Sequence, residues 1–127
     1  MVSAVEAARK AARQALERTY DGVASVVEYK KIKDEETRIT NFKEVSVLEG
    51  QPCRLSFSSI TTVVQSDSTA SVNQTTKLFI SPDVAIKPGS KITVTQNEVT
   101  KDYTYSGVPA VYATHQEIML ELFRGWT

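Results

Sequence analysis

Cysteine and histidine are nearly missing from this chain. Cys53 is the single cysteine and His115 the single histidine among 127 residues. One thiol excludes an internal disulfide, and one of each residue leaves too few ligands for a zinc site built within the chain. Net charge is missing as well. Fifteen basic and fifteen acidic side chains cancel, so no overall field draws in nucleic acid or an anionic membrane, and a partner is to be recognised by shape. Long apolar runs are absent. None approaches the roughly 20 residues that cross a bilayer, and the N-terminus lacks the apolar core of a signal peptide, which points to a soluble protein made in a cytoplasm.

The catalytic signatures are missing too. The sequence has no phosphate loop, no nucleophile elbow, no pair of histidines at metal spacing and no dinucleotide fingerprint. His115 would act as a general base only with a nucleophile and an orienting acid gathered around it. A structural histidine at a strand start is the plainer reading. Catalysis, a cofactor and a metal are therefore not expected.

What is present is punctuation for hairpins. From Ile86 to Glu121 the chain holds a Pro88–Gly89 turn, an alternating strand (Lys91 to Gln96), a polar turn, an aromatic strand (Tyr103 to Tyr105), a Gly-Val-Pro bend and a last amphipathic run from His115. Gly supplies positive φ and Pro cannot donate to a ladder, so this order reads as a β-meander. In the last run, strand alternation groups Gln116, Ile118, Leu120 and Leu122, whereas a helix would group Ile118, Met119, Leu122 and Phe123. Pro109 and the β-rich Val111 and Tyr112 favour a strand.

Upstream, Ser3 and Glu6 form a capping box that opens a helix over residues 3–20. Ala, Arg, Glu, Gln and Leu fill it, Glu6/Lys10 and Arg13/Glu17 are opposite charges four apart, and Gly22 stops it. Its apolar stripe (Val5, Ala8, Ala12, Leu16) is narrow and made mostly of small residues, beside a basic set that includes Arg9 and Arg13. Two readings stay open: the helix lies across the open end of the sheet, or its small face, with Ala8, Arg9, Ala12 and Arg13, meets a neighbouring subunit.

Val23 to Lys30 is a strand by its β-branched content, and Lys30 to Thr37 a solvated hairpin tip. Alternation returns from Arg38 to Leu48, and Glu49 to Pro52 turn the chain into the strand Cys53 to Phe57. That strand sets Cys53, Leu55 and Phe57 on one face, with the thiol buried and inert. Ser58 to Thr76 differs in kind: ten of its nineteen residues are Ser or Thr, without Gly or Pro. It reads as one long projecting loop or irregular hairpin, or as a segment that pairs edge to edge with copies of itself. Its candidate contact residues are Ser59, Thr62, Val64, Gln65, Ser66, Asp67, Ser68 and Thr69. The expected fold is thus one mainly-β domain over 1–127: a small antiparallel β-barrel or meander (23–57 and 77–123), an N-terminal helix, and one projecting loop (58–76).

Three segments carry a resemblance to a known family. They are Pro52-Cys53-Arg54-Leu55-Ser56-Phe57 leading into the polar stretch; Lys77 to Pro82 followed by Val84 to Ile92; and Tyr103 to Glu121 with Tyr112-Ala113-Thr114-His115-Gln116-Glu117-Ile118. Together they resemble the head-closure (stopper) and head–tail joining proteins of tailed bacteriophages. The resemblance implies a small β-barrel in a homo-oligomeric ring, a hexamer or dodecamer, in the virion neck between the portal–adaptor complex and the tail. Its partners would be portal and adaptor proteins and tail terminator or tube proteins, with no membrane. Phage DNA would pass without sequence-specific contact, and the segment in the place of Ser58 to Thr76 would project toward the channel and help retain it. The opening helix departs from many relatives, which enter directly into a strand. A tail terminator or tail-tube element is the alternative of the same kind. A sugar- or small-ligand-binding barrel stacking its ligand on Tyr103, Tyr105, Tyr112 and Trp126 is the alternative of another.

Overall fold

The computed structural model describes residues 3–64 and 69–126, and for 60–64 and 69–73 the backbone alone. Its elements are α1 (Ala4–Glu17), β1 (Gly22–Lys33), β2 (Thr40–Val64), β3 (Thr69–Ile80), β4 (Lys91–Gln96), β5 (Val99–Thr104), β6 (Ala110–Val111) and β7 (Gln116–Leu122).

The helix begins at an N-cap, where the Ser3 hydroxyl accepts from the Glu6 N–H at 3.1 Å; of the expected capping box this half is formed. It ends at Glu17, earlier than the composition suggests. The Thr19 hydroxyl and N–H both turn back onto the Leu16 carbonyl, closing the last turn before Gly22. Gly22 is not the helix stop but the first residue of β1. A Cβ there would come to 3.0 Å from Gln96 Oε1 and 3.1 Å from the Cys53 carbonyl, so any larger residue would force these neighbours to give way by a few tenths of an ångström.

All strand pairings are antiparallel. The order is β3-β2-β1-β4-β5-β7-β6, and β3 also pairs with β7, so six strands close on themselves and β6 sits outside as a short flap. The two-residue Asn97–Glu98 turn, with both φ positive, joins β4 to β5 in the conformation that suits a tight hairpin. Register shifts between Ala24 and Val27 mark a bulge opposite the left-handed Gly50, which sharpens the twist where the sheet curls.

The core follows directly from strand alternation. Each closing strand sends an i, i+2 pair inward: Ala24/Val26, Cys53/Leu55, Leu78/Ile80, Ile92/Val94, Tyr103/Tyr105 (its second member just past β5) and Ile118/Leu120. Full burial of a Leu or Ile contributes about 1.5–3 kcal/mol, so these positions stabilise the closed sheet. The last run is a strand, with Gln116, Ile118 and Leu120 buried; Leu122, expected on the same face, is 58% exposed because it lies past the core. Phe57 keeps to the side of Cys53 and Leu55 but likewise lies past the core, at 52% exposure. The buried Gln116 is satisfied through Nε2, which donates to the carbonyls of Ser81 (2.8 Å) and Val84 (2.5 Å) and so pins the β3–β4 connection.

Candidate functional site

Of the two readings of Ser58 to Thr76, the described residues 58–64 and 69–76 form a hairpin's strands and not a loop. The β2–β3 ladder continues from Cys53↔Ile80 to Val64↔Thr69, so the stretch forms two paired arms of one hairpin. Its β-branched residues favour extended backbone, and no Gly or Pro interrupts it. The neighbour β7 shares rungs with β3 only from Thr76 to Ile80, and β1 reaches β2 only up to Cys53. Beyond those rungs the described parts of the hairpin have no strand on either outer edge. Ser59 is exposed on one arm; Thr62, Val64 and Thr69 sit on ladder rungs opposite Ser71, Thr69 and Val64. Gln65, Ser66, Asp67 and Ser68 lie outside the described residues.

The root of the hairpin is fixed from the side. Gln96, at the end of β4, reaches β2: the Leu55 N–H donates to its Oε1 at 2.8 Å, and its Nε2 donates to the Leu55 carbonyl at 3.3 Å. A small cleft of about 160 Å³ opens beside it, lined by Phe57, Val99 and Tyr103 among others.

The second sequence candidate is α1. No residue of the helix is buried, and Ala8, Arg9 and Ala12 are exposed. Arg13 is different. Its guanidinium bonds Glu17 (3.1 Å), the Ser81 hydroxyl (2.7 Å) and Asp83 (2.8 Å), so this residue anchors the helix to the β3–β4 connection of its own chain. The expected Arg13/Glu17 pair is present, and α1 is held by its C-terminal half while the face with Ala8 and Ala12 stays open.

The aromatic residues suggested as a stacking surface are not brought together. Tyr103 and Tyr105 are 4% and 2% exposed, and the Tyr105 hydroxyl donates to the Ile86 carbonyl within the core. Tyr112 stacks on His115, with ring centroids 4.9 Å apart, and Trp126 stacks on Tyr29 at the same spacing. A sugar-binding surface made of these four side chains is thereby overturned: two are spent in packing and two lie in separate clusters.

His115 sits between Thr114 Oγ1 (2.9 Å from Nδ1) and Glu117 Oε2 (2.8 Å from Nε2), and Glu117 also meets Lys77 at 3.0 Å. The hydrogen bond with His115, then that from Lys77, holds the Glu117 carboxyl below the usual carboxylate range. Tyr112 covers one ring face, Phe79 lies against the ring at 5.6 Å, and the His115 carbonyl accepts from the Tyr112 N–H at 2.8 Å. These contacts fasten the β6 flap to β7. Cys53 is buried, and desolvation, helped by the charge of Asp21, pushes its thiol up to about 12. Among the described residues no helix is long and apolar enough to cross a membrane, and no group of three or more His, Cys, Asp or Glu gathers to hold a metal ion.

Sequence reasoning missed Gln96, whose role rests on a contact across 41 positions, and the tail residues Phe123 to Gly125, and it named Trp126 only as a stacking surface and not as a partner of Glu44. Trp126 Nε1 donates to Glu44 Oε1 at 3.1 Å while Lys91 Nζ donates to the same oxygen at 3.1 Å, and these two bonds, in that order, lower the Glu44 pKa. The single Trp of the chain was the available signal.

No family model and no curated protein matches this chain. Among solved structures it is similar to the phage-like element PBSX protein xkdH from Bacillus subtilis, at 9% identity and a TM-score of 0.48, over 79% of this chain and 91% of that one.

Proposed function

We propose that this chain is a non-enzymatic structural subunit of a tailed-phage neck, a head-closure connector that works as a ring of identical copies between the portal–adaptor complex and the tail. The reading starts from the three sequence segments that resemble that family. The observation that carries it is the β2–β3 hairpin, which leaves the closed sheet with uncharged Ser/Thr-rich backbone and strand-free outer edges among its described residues. Extended backbone with unspent donors and acceptors suits contact with copies of itself. The open face of α1 offers a second contact, since small residues allow close approach. With one Asp and no Lys or Arg from 58 to 76, the hairpin would line a channel without gripping DNA phosphates, whose hold grows with each cation.

The test is to mix the purified protein with portal–adaptor complexes and, separately, with tail tubes, and to follow both by co-sedimentation and negative-stain imaging. Rings on the portal side support the reading. Rings on tail tubes alone move the protein to the tail-terminator or tail-tube role. A protein that joins neither refutes a place in the neck.

A further inference from the structure

The strand β1 is longer than the neighbour beside it. On one side it pairs with β2 from Gly22 to Lys33, apart from the bulge at Ser25; on the other it pairs with β4 only from Val23 to Val27, because β4 starts at Lys91. Among the described residues no strand pairs with that second side of Glu28 to Lys33.

Two hairpins fix which backbone groups face outward there. The Asp34 N–H donates to the Ile39 carbonyl at 2.9 Å, which makes those two residues a bonded pair. Antiparallel alternation then turns the N–H and C=O groups of Lys33, Lys31 and Tyr29 away from β2. Independently, the two-residue Asn97–Glu98 turn makes Gln96 and Val99 a bonded pair, so Thr95, Thr93 and Lys91 face β1 opposite Val23, Ser25 and Val27. Both routes give the odd-numbered residues of β1 the outward groups.

The edge opens onto a groove of about 1160 Å³. Its aromatic side is the Tyr29/Trp126 stack with Phe42 and Phe123 against it. Its rim carries four cations, Lys30, Lys31, Lys87 and Arg124, against two carboxylates, Glu28 and Glu121. Glu28 is already shared by Lys30 (3.5 Å) and Lys87 (3.8 Å), and Glu121 accepts from the Ser106 hydroxyl. Thr104 lines the same groove, and its buried hydroxyl has no hydrogen-bond partner.

We propose that this groove is a docking site for an extended acidic segment of a partner protein, which adds to the Tyr29–Lys33 edge as a further strand. Its backbone bonds the outward groups of Tyr29, Lys31 and Lys33, its carboxylates meet Lys30, Lys31 and Lys33, and apolar side chains lie against Tyr29 and Trp126. A second copy of this chain fits less well. Its own β1 edge brings the same lysines and repels, and its free β2–β3 edge carries no carboxylate from 58 to 64. The inference does not depend on the neck reading.

The probe is an end-blocked peptide, Thr-Glu-Val-Glu-Glu-Val-Thr, titrated to millimolar concentration against the full chain. Trp126 fluorescence and amide exchange read the outcome. A saturable change at Trp126, slowed exchange at Tyr29, Lys31 and Lys33, and weakening between about 50 and 300 mM salt are expected. Lys31→Pro removes an outward N–H without touching the β2 ladder and lowers affinity by about tenfold; its circular dichroism checks that the fold is kept. Lys31→Glu, which keeps every backbone group, weakens binding as well. No protection at the edge, equal binding of the peptide with Lys in place of Glu, or undiminished binding by both variants overturns the proposal. Tighter binding of Ser-Ser-Ile-Thr-Thr-Val-Val, the sequence of 58–64, also overturns it and assigns the edge to a second copy.

Discussion

The side chain of Gln96 stands beside Leu55 where a backbone rung would otherwise be, accepting from its N–H at 2.8 Å and donating to its carbonyl at 3.3 Å. It takes over where β1 stops, since Gly22 is the last β1 partner of β2. The hairpin that leaves the sheet a few residues later is thus gripped on the flank that has no strand.

Gln96→Ala should loosen that grip. The lost pair of bonds at a half-buried site costs about 1–2 kcal/mol, and amide exchange should speed up at Leu55 before it does at Ile118 in the core. Gly22→Ala should mimic the effect, because its Cβ would push against Gln96 Oε1 and the Cys53 carbonyl. Equal protection of Leu55 in wild type and both variants would refute the role given to Gln96.

Cys53 should be silent to thiol reagents in the native protein and react only after unfolding. Burial raises its folded pKa to about 12, above the roughly 8.5 of a free thiol. The proton is therefore kept by the folded state and released by the unfolded one. Stability from this group is complete below the lower value and declines as pH rises toward 12. Denaturant midpoints between pH 8 and 11 should fall less steeply for Cys53→Ala than for wild type. Tyr103 and Tyr105, also raised by burial, should leave a residual slope. Cys53→Ser, which buries a hydroxyl, should cost about 1–3 kcal/mol.

Glu117 sets the acid side. His115 and Lys77 lower its folded pKa, so its contribution is present above the unfolded value of about 4.3 and disappears as pH falls through the folded one. Because the cluster is near the surface, the gain at neutral pH is below about 1 kcal/mol. Melting temperatures from pH 2 to 6 should drop less for Glu117→Gln than for wild type. Parallel curves would show that the cluster contributes nothing.

Local chemistry made much of this fold readable in the sequence. Ser3 and Glu6 announce the helix, Lys91 to Gln96 alternate as the strand they form, and Gln116, Ile118 and Leu120 alternate as one buried face. Patterns fail where a strand leaves the core. Ser58 to Thr76 reads equally as a loop or as an irregular hairpin, because reading by periodicity needs one buried face, and a strand paired only with another Ser/Thr-rich strand gives none. Alternation groups Phe57 and Leu122 with buried neighbours, because it tells which side a residue takes and not where the core ends. Gly22 reads as punctuation in the sequence, yet its neighbours in the fold are Gln96 and Cys53, distant in sequence. Arg13 shows the same limit. Its charge placed it on a helix face, but its partners Ser81 and Asp83 lie 68 and 70 positions away, beyond any local rule.

The 25 residues of β2 would measure about 80 Å if fully extended, whereas a compact chain of this length has a radius of gyration of only about 14 Å. The backbone of β2 therefore cannot be contained in the closed sheet as a straight strand: it bends at Gly50, where the β1 register shifts, and its two ends belong to two different hairpins. The lysine-flanked edge of the β1–β2 hairpin and the uncharged arm of the β2–β3 hairpin hang from this single beam. A load applied to either end reaches the other through covalent bonds and ladder rungs, without a hinge between helices or domains to absorb it.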